Sequence, residues 1–332
     1  MKKQKISRFI GIDISKSTFD VAIINPDNKT ASYVFENNNK GLKAFLKLLK
    51  NQGIKLSQVL ICMEHTGIYG RLIIDKLVEN NANICVEMSL KIIRSLGIQR
   101  GKNDKIDAIR IAKYASKNVD ELELYKPLPE VLDKIRLLIS IRDGLIKSKT
   151  SIAKYPKELE HFASDLSKIA KKNIKKTIKT IIDEIKRIES EIQKLIKSDQ
   201  QLNKIILLVT SVIGIGTFTA LYFAIYTNMF TRYSNPKQLA CYCGVVPFEH
   251  SSGSSIRKKT RVNHMANKTL KKQLHMCALA AMVYDPDLKA YYNRKVEEGK
   301  SKMLVINNIR NKLILRVCAV IRKQEPYQKN TA

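Results

Sequence analysis

Short apolar runs broken by polar turns open the chain. Phe9, Ile10 and Ile12 lead to a single acid, Asp13, and after Ser15-Lys16-Ser17 a second apolar run extends from Phe19 to Ile24. Two runs rich in β-branched residues around a polar turn predict a hairpin. Ser32 to Phe35 suits a third strand, and Leu42, Phe45, Leu46 and Leu49 recur at helical spacing. Val59-Leu60-Ile61-Cys62-Met63 reads as another strand, and it too closes on an acid, Glu64. A helical pattern from Tyr69 to Val78, a short strand from Ile84 to Val86 and a basic helix around Lys91 to Leu96 follow. The segment from Gly101 to Ala115 begins a further helix, with Asn103 or Asp104 near its N-cap. Strands interleaved with helices in this way predict an α/β domain built on a mixed sheet.

Beyond Pro127 and Pro129 the period changes. Val131 to Ile152 and Ile174 to Ile196 read as long helices, and Ile174, Ile178, Ile181, Ile185, Ile188, Ile192 and Leu195 alternate spacings of three and four. That is a coiled-coil seam. Tyr155-Pro156 is expected to mark the bend between the two helices. A lysine-rich two-helix hairpin has little core of its own, so it predicts packing against a partner chain or nucleic acid; a solvated antiparallel hairpin is the plainer alternative. From Ser211 to Tyr226, a Gly-x-Gly turn at Gly214 and Gly216 joins two apolar helical segments, the form of a helix-hairpin-helix whose loop amides can face a phosphate. Asn235 to Cys243 reads as a short helix and Gly244-Val245-Val246-Pro247 as a turn. The second half is all-α in character.

Charge narrows the function. Sixty Lys and Arg against 30 Asp and Glu give a net +30, and such a chain binds polyanions through counterion release. Residues 1–125 hold 21 basic and 13 acidic residues, leaving 39 and 17 for the remainder, so nucleic acid is expected mainly on the second half. No apolar run approaches the roughly 20 residues that span a bilayer, which argues against a membrane protein and for a cytoplasmic one. The six cysteines fit that compartment; only Cys241 and Cys243 are close, with no second pair at zinc spacing.

An aspartate ending a buried strand needs a cation or several donors, unless it merely caps its own turn. Asp104 and Asp107, three apart, share one helical face near the positively polarised helix start. Together with Asp13 and Glu64 they would form a four-carboxylate cage for Mg²⁺ or Mn²⁺, in one- or two-metal form, able to activate attack at phosphorus. The plainer reading has Asp104 capping and Asp107 paired with Arg110. Between Ser251 and His275 lie seven Lys or Arg and no acid. The serines there are either linker beside a phosphate-binding patch or include a nucleophile whose alkoxide the neighbouring cations would stabilise.

These residues carry a resemblance. Gly11-Ile12-Asp13-Ile14-Ser15-Lys16, Met63-Glu64-His65-Thr66-Gly67, Lys102 to Ala108, Gly214-Ile215-Gly216, and Gly244 to Pro247 followed by Ser252-Gly253 and Asn267-Lys268-Thr269-Leu270, in that order from about residue 8 to 320, resemble the DEDD transposases of bacterial insertion sequences. This family is named after insertion sequence 110 and is related to the Piv DNA invertases. The resemblance implies a RuvC-like, RNase H-fold domain over 1–125, a coiled-coil oligomerisation segment over 126–200 and a mostly helical transposase domain over 201–332. It places a catalytic, metal-binding tetrad on Asp13, Glu64, Asp104 and Asp107 and the nucleophile on Ser252, with Ser251 one position away. Double-stranded donor and target DNA, cut and rejoined through a phosphoserine intermediate, a bridge RNA choosing them, and a dimer or tetramer are also implied. Nucleic acid is expected on Gly214, Gly216, Arg257, Lys258, Lys259, Arg261, Asn267, Lys268, Lys271 and Lys272. Lys271-Lys272 stand where the family has an arginine pair, and lysine lacks the bidentate phosphate fork.

Two rivals remain. Gly-Ile-Asp-x-Ser also opens actin-like sugar kinases, but no second phosphate loop follows and +30 suits nucleic acid better. A hydrolytic RuvC-like nuclease without a covalent serine step, or a nucleic-acid-binding relative, is the closer alternative.

Overall fold

The computed structural model describes residues 6–95, 104–233, 235–252, 256–262 and 265–328, with the backbone alone for 249–261. It divides into two compact units, Met1–Pro127 and Leu128–Ala332.

The first unit is built on five strands, β1 (Arg8–Ile14), β2 (Thr18–Ile24), β3 (Thr30–Glu36), β4 (Val59–Glu64) and β5 (Asn83–Glu87), in the order β3-β2-β1-β4-β5. The first three pair antiparallel, whereas β1–β4 and β4–β5 are parallel. Helix α1 (Asn39–Asn51) connects β3 to β4 and α2 (Arg71–Glu79) connects β4 to β5, while α3 (Ser89–Ser95) and α4 (Asp104–Lys117) follow β5. Strand periodicity sorts the side chains between two faces. Ile10, Ile12 and Ile14 share one core with Leu42, Phe45, Leu49, Ile73 and Leu77. On the other face Leu60, Cys62 and Cys85 pack with Ile92, Ile111, Tyr114 and Ala115, and Ala22 and Ile24 with Ala108 and Ala112. A mixed sheet covered on both faces is compatible with an RNase H-like domain.

The second unit is helical apart from one hairpin. Helices α5 (Glu130–Glu160) and α6 (Ser164–Ser198) lie antiparallel: Leu132, Ile135 and Ile139 share a core with Ile188, Ile192 and Ile196, and Arg142 Nε donates to Glu189 Oε1 at 2.7 Å. The buried part of the isoleucine pattern, Ile185 to Ile196, is therefore engaged within the chain, while Ile174, Ile178 and Ile181 are half-buried. The bend is not at Tyr155-Pro156. Pro156 sits inside α5, buried, with its carbonyl accepting from Ser167 Oγ at 2.9 Å, and the chain turns instead at 161–163, where Ala163 leaves the helical conformation. A mid-helix proline forfeits one backbone hydrogen bond and clashes with the preceding turn, at about 3 kcal/mol, which the packing across the hairpin offsets.

There follow α7 (Gln200–Thr210), α8 (Thr217–Thr227), α9 (Pro236–Tyr242), the hairpin β6 (Pro247–Ser252) and β7 (Ile256–Val262), then α10 (Lys268–Tyr284), α11 (Pro286–Glu297) and α12 (Lys302–Lys323). Their apolar faces merge into one core with the base of the α5–α6 hairpin. Among the described residues no helix is long and apolar enough to cross a membrane.

Candidate active site

Asp13 is the last residue but one of β1, and Glu64 ends β4. In the parallel register Ile12 pairs with Met63, so the two acids stand side by side one step further on, on the sheet face that α4 covers. The helix completes the group by its phase. Ala108 and Ala112, and Ile111 and Ala115, form its buried stripe, so Asp104 and Asp107 lie one turn before that stripe at the helix start, where carboxylates are favoured. Close approach of α4 to β1 depends on Gly11: a Cβ there would sit 2.9 Å from Ala112 Cα and closer still to the backbone of Ala108 and Ala112.

The electrostatics record this convergence. Asp13 is pushed up to about 6, first by burial and then by the charges of Glu64, Asp104 and Asp107, with the Ile14 amide opposing. Four acids separated in sequence are thus within electrostatic reach of one another. Among the described residues, however, no three acidic, histidine or cysteine side chains close on one point at coordination distance. Two are turned to protein partners: Glu64 Oε2 accepts from Ser89 Oγ at 2.6 Å, and Asp107 Oδ1 accepts from Arg110 Nη1 at 2.7 Å. The Asp107–Arg110 pair is the plainer reading of the helix, and it coexists with the cluster. In its chemistry an all-carboxylate donor set suits a hard divalent cation.

Sequence reasoning missed two members of this neighbourhood. Asp20, on β2 directly opposite Asp13, is 8% exposed and is raised by burial and by Asp104. Ser89 orients Glu64 from α3. A glycine inside a strand, Gly11, was the available signal that another backbone approaches there.

The predicted basic region behaves differently. Ser252 ends β6 and pairs across the hairpin with Ile256, with Ser251 opposite Arg257 and His250 opposite Lys258, so the run is a paired β-ribbon rather than a linker. The side chains of Ser251, Ser252, Arg257, Lys258, Lys259 and Arg261, and all of Gly253, lie outside the described residues. Asn267 is the N-cap of α10: its Oδ1 accepts from the Leu270 amide and its Nδ2 donates to Tyr242 Oη at 3.0 Å. Lys268 and Lys272 are exposed and Lys271 half-buried. In the Gly-x-Gly turn, Gly214 has φ +93° and lies against Cys277 and Ala281 of α10, while Gly216, the N-cap of α8, faces open space.

Comparison with known proteins bears on both units. A family model described as Transposase matches residues 10–158, and one described as Transposase IS116/IS110/IS902 family matches residues 207–293. The chain belongs to the IS110 family of DEDD transposases. It is 28% identical over 337 residues to the pilin gene-inverting protein of Moraxella bovis, covering 97% of this chain and 98% of that protein, with the same figures for the Moraxella lacunata protein. An uncharacterized 43.6 kDa IS110 protein of Streptomyces coelicolor is 28% identical over 121 residues, 36% of this chain and 30% of that protein. An IS110-family chain of this kind is a DNA recombinase.

Proposed function

We propose that the chain cuts and rejoins DNA strands, with Asp13, Glu64, Asp104 and Asp107 holding one or two Mg²⁺ or Mn²⁺ ions and with Ser252 as the nucleophile. The observation that carries this reading is the placing of Asp13 and Glu64 side by side on the sheet face that α4 covers, with Asp13 raised by burial and then by the charges of Glu64, Asp104 and Asp107. A cluster that is repulsive by itself is suited to a cation. When bound, the metal would supply Lewis acidity at the phosphoryl oxygens and lower the pKa of a hydroxyl near it.

The residues of the chain do the rest. Ser252 Oγ attacks phosphorus as it gives up its proton; the O–P bond to serine forms, and the bridging oxygen of the cut strand leaves and takes up a proton. Attack by the hydroxyl of a second strand reverses these events and restores the serine. The energy of the phosphodiester is thereby kept in the phosphoserine, which is what rejoining requires and simple hydrolysis would lose. Relatives named for inverting a pilin gene support rejoining over cutting alone. Arg257, Lys258, Lys259 and Arg261 follow Ser252 within one ribbon and are the cations nearest in sequence for the charge developing at phosphorus. Both the donor and target duplexes and a guide RNA belong to this reading, as does a homo-oligomer, since exchange between two DNAs needs at least two cutting centres.

The test is a trapped adduct on nicked DNA substrate bearing the element's ends, supplied with the RNA transcribed beside the reading frame. Wild type is expected to form a denaturation-resistant protein–DNA adduct and Ser252→Ala none. Loss in Ser251→Ala instead would move the nucleophile by one residue. Metal-dependent cutting without any adduct would make the chain a hydrolytic nuclease.

A further inference from the structure

Arg310, in the middle of α12, is 7% exposed, and among the described residues none of its hydrogen bonds goes to a carboxylate. Its Nη1 reaches Asn307 Oδ1 at 3.5 Å, its Nη2 meets His275 Nδ1 and the Met303 sulfur, and its Nε has no partner among the described residues. Burial lowers its pKa, and no acid among the described residues acts in the other direction. Guanidinium groups stay charged in proteins, so this is a buried positive charge with an unused donor, an arrangement that costs stability unless an anion arrives. Asp285 and Arg316 in the same unit show the ordinary solution, a buried pair at 2.5 Å.

The surroundings select the anion. Because a guanidinium only donates, His275 Nδ1 must accept; its proton then sits on Nε2, and the ring becomes a second donor. His275 is also held below its ordinary pKa by burial and by Arg310. It lies one turn beyond Lys271 on α10, and Lys268, Lys271, Lys272 and His275 recur on one helical face. Asn307, through Nδ2 to the Val245 carbonyl at 2.7 Å, ties the cluster to the turn that leads into β6, and Lys271 lies beside Gly244 of the same turn. Met303, 60% exposed with its sulfur 3.9 Å from Arg310 Nη2, is an unbranched and movable cover. A planar fork beside a neutral ring donor and a lysine suits an oxyanion, and at the root of the serine ribbon of a chain that handles DNA the oxyanion at hand is a backbone phosphate.

We propose that Arg310, with His275 and Lys271, forms a phosphate-binding site that holds one backbone phosphate of the nucleic acid near the β6–β7 ribbon. This rests on the reading of the chain as a recombinase, and deepens it by naming a grip outside the basic run. Arg310 is a positioning residue, acting on where the strand lies.

The test compares wild type with Arg310→Met and Arg310→Lys for binding of a DNA duplex, a single-stranded RNA and inorganic phosphate, together with melting temperature. Arg310→Met is expected to melt no lower than wild type, because it removes an uncompensated buried charge. It should bind nucleic acid about tenfold more weakly at 0.1 M salt, with the salt-dependence slope shallower by about one. Arg310→Lys keeps the charge but loses the fork, so it should keep the slope and still bind more weakly. The DNA and RNA arms show which strand supplies the phosphate. Unchanged slope and affinity in Arg310→Met, or unchanged affinity in Arg310→Lys, overturns the proposal. So does a fall in melting temperature in Arg310→Met, which would show that the guanidinium is compensated within the fold. Stabilisation of wild type by inorganic phosphate without any change in nucleic-acid binding among the variants also overturns it. Adduct formation by wild type is scored separately, so that the recombinase reading and this site can fail independently.

Discussion

Gly11 of β1 lies beneath Ala108 and Ala112 of α4 so closely that no side chain fits between them. This contact sets the distance between Asp13, two residues further along the strand, and Asp104, one turn earlier on the helix. Gly11→Ala is expected to force helix and sheet apart, destabilising the protein by about 2–4 kcal/mol and lowering strand cleavage as the acids separate. Gly144→Ala, on an open face of α5, should instead stabilise by up to about 1 kcal/mol. Denaturant midpoints and a cleavage assay on both variants check this.

The raised Asp13 has a thermodynamic signature. Its carboxyl ionises near 3.8 in the unfolded chain and near 6 in the folded one, so the folded protein holds the extra proton between these values. In chelator, wild-type stability should therefore fall as pH rises from about 4 to 6 and then level off. Asp13→Asn lacks this loss and should be the more stable protein at pH 7.5, by at most about 2 kcal/mol after solvent screening, with no advantage at pH 4. Millimolar Mg²⁺ should raise the melting temperature of wild type and not of the variant. A variant no more stable than wild type at pH 7.5 would show that the acids do not repel.

The same acids bear on activity. Asp13→Asn and Asp104→Asn should each reduce Mg²⁺-dependent strand cleavage at least about a hundredfold while leaving the circular dichroism spectrum unchanged. Full activity in both would remove the tetrad from the chemistry.

The isoleucine seam separates stability from assembly. Ile188 is 4% exposed against α5, so Ile188→Asp should cost about 3–5 kcal/mol by placing a charge in the core. Ile174 and Ile178 are half-buried, and the double change to Asp should cost less than about 1 kcal/mol. If this part of the seam meets a partner chain, light scattering will show the double variant at half the wild-type mass or below. Equal masses would place self-association elsewhere.

Asp285 is fully buried; burial alone would raise it, but Arg316 and the Leu288 and Asp287 amides hold it below the usual carboxylate range. Its contribution is present above the unfolded carboxylate pKa and is lost as pH falls through the folded one. Arg316→Met should strand that carboxylate and cost about 3–5 kcal/mol near neutral pH, with the deficit shrinking in acid as Asp285 takes up a proton.

Much of this was legible from the chain alone. Strand and helix periods are local, so the acids at the close of β1 and β4, the opening of α4 around Asn103 or Asp104 and the apolar stripe of α6 could be read directly. The ordered motifs around them carried the family. Other features depend on long-range pairing, which no local period encodes. Parallel pairing of β1 with β4 set Asp13 beside Glu64, and the antiparallel return of β2 added Asp20. The approach of α4 to Gly11 then brought Asp104 and Asp107 within reach, while Arg110 claimed one carboxylate. Pro156 was misleading as a stop signal because contacts from α6 hold the helix together through it. Arg310 had no sequence signature, since one arginine on an amphipathic helix reads as solvated. Only the packing of α12 on α10 shows it buried without a counter-charge among the described residues, because burial and pairing belong to the whole fold.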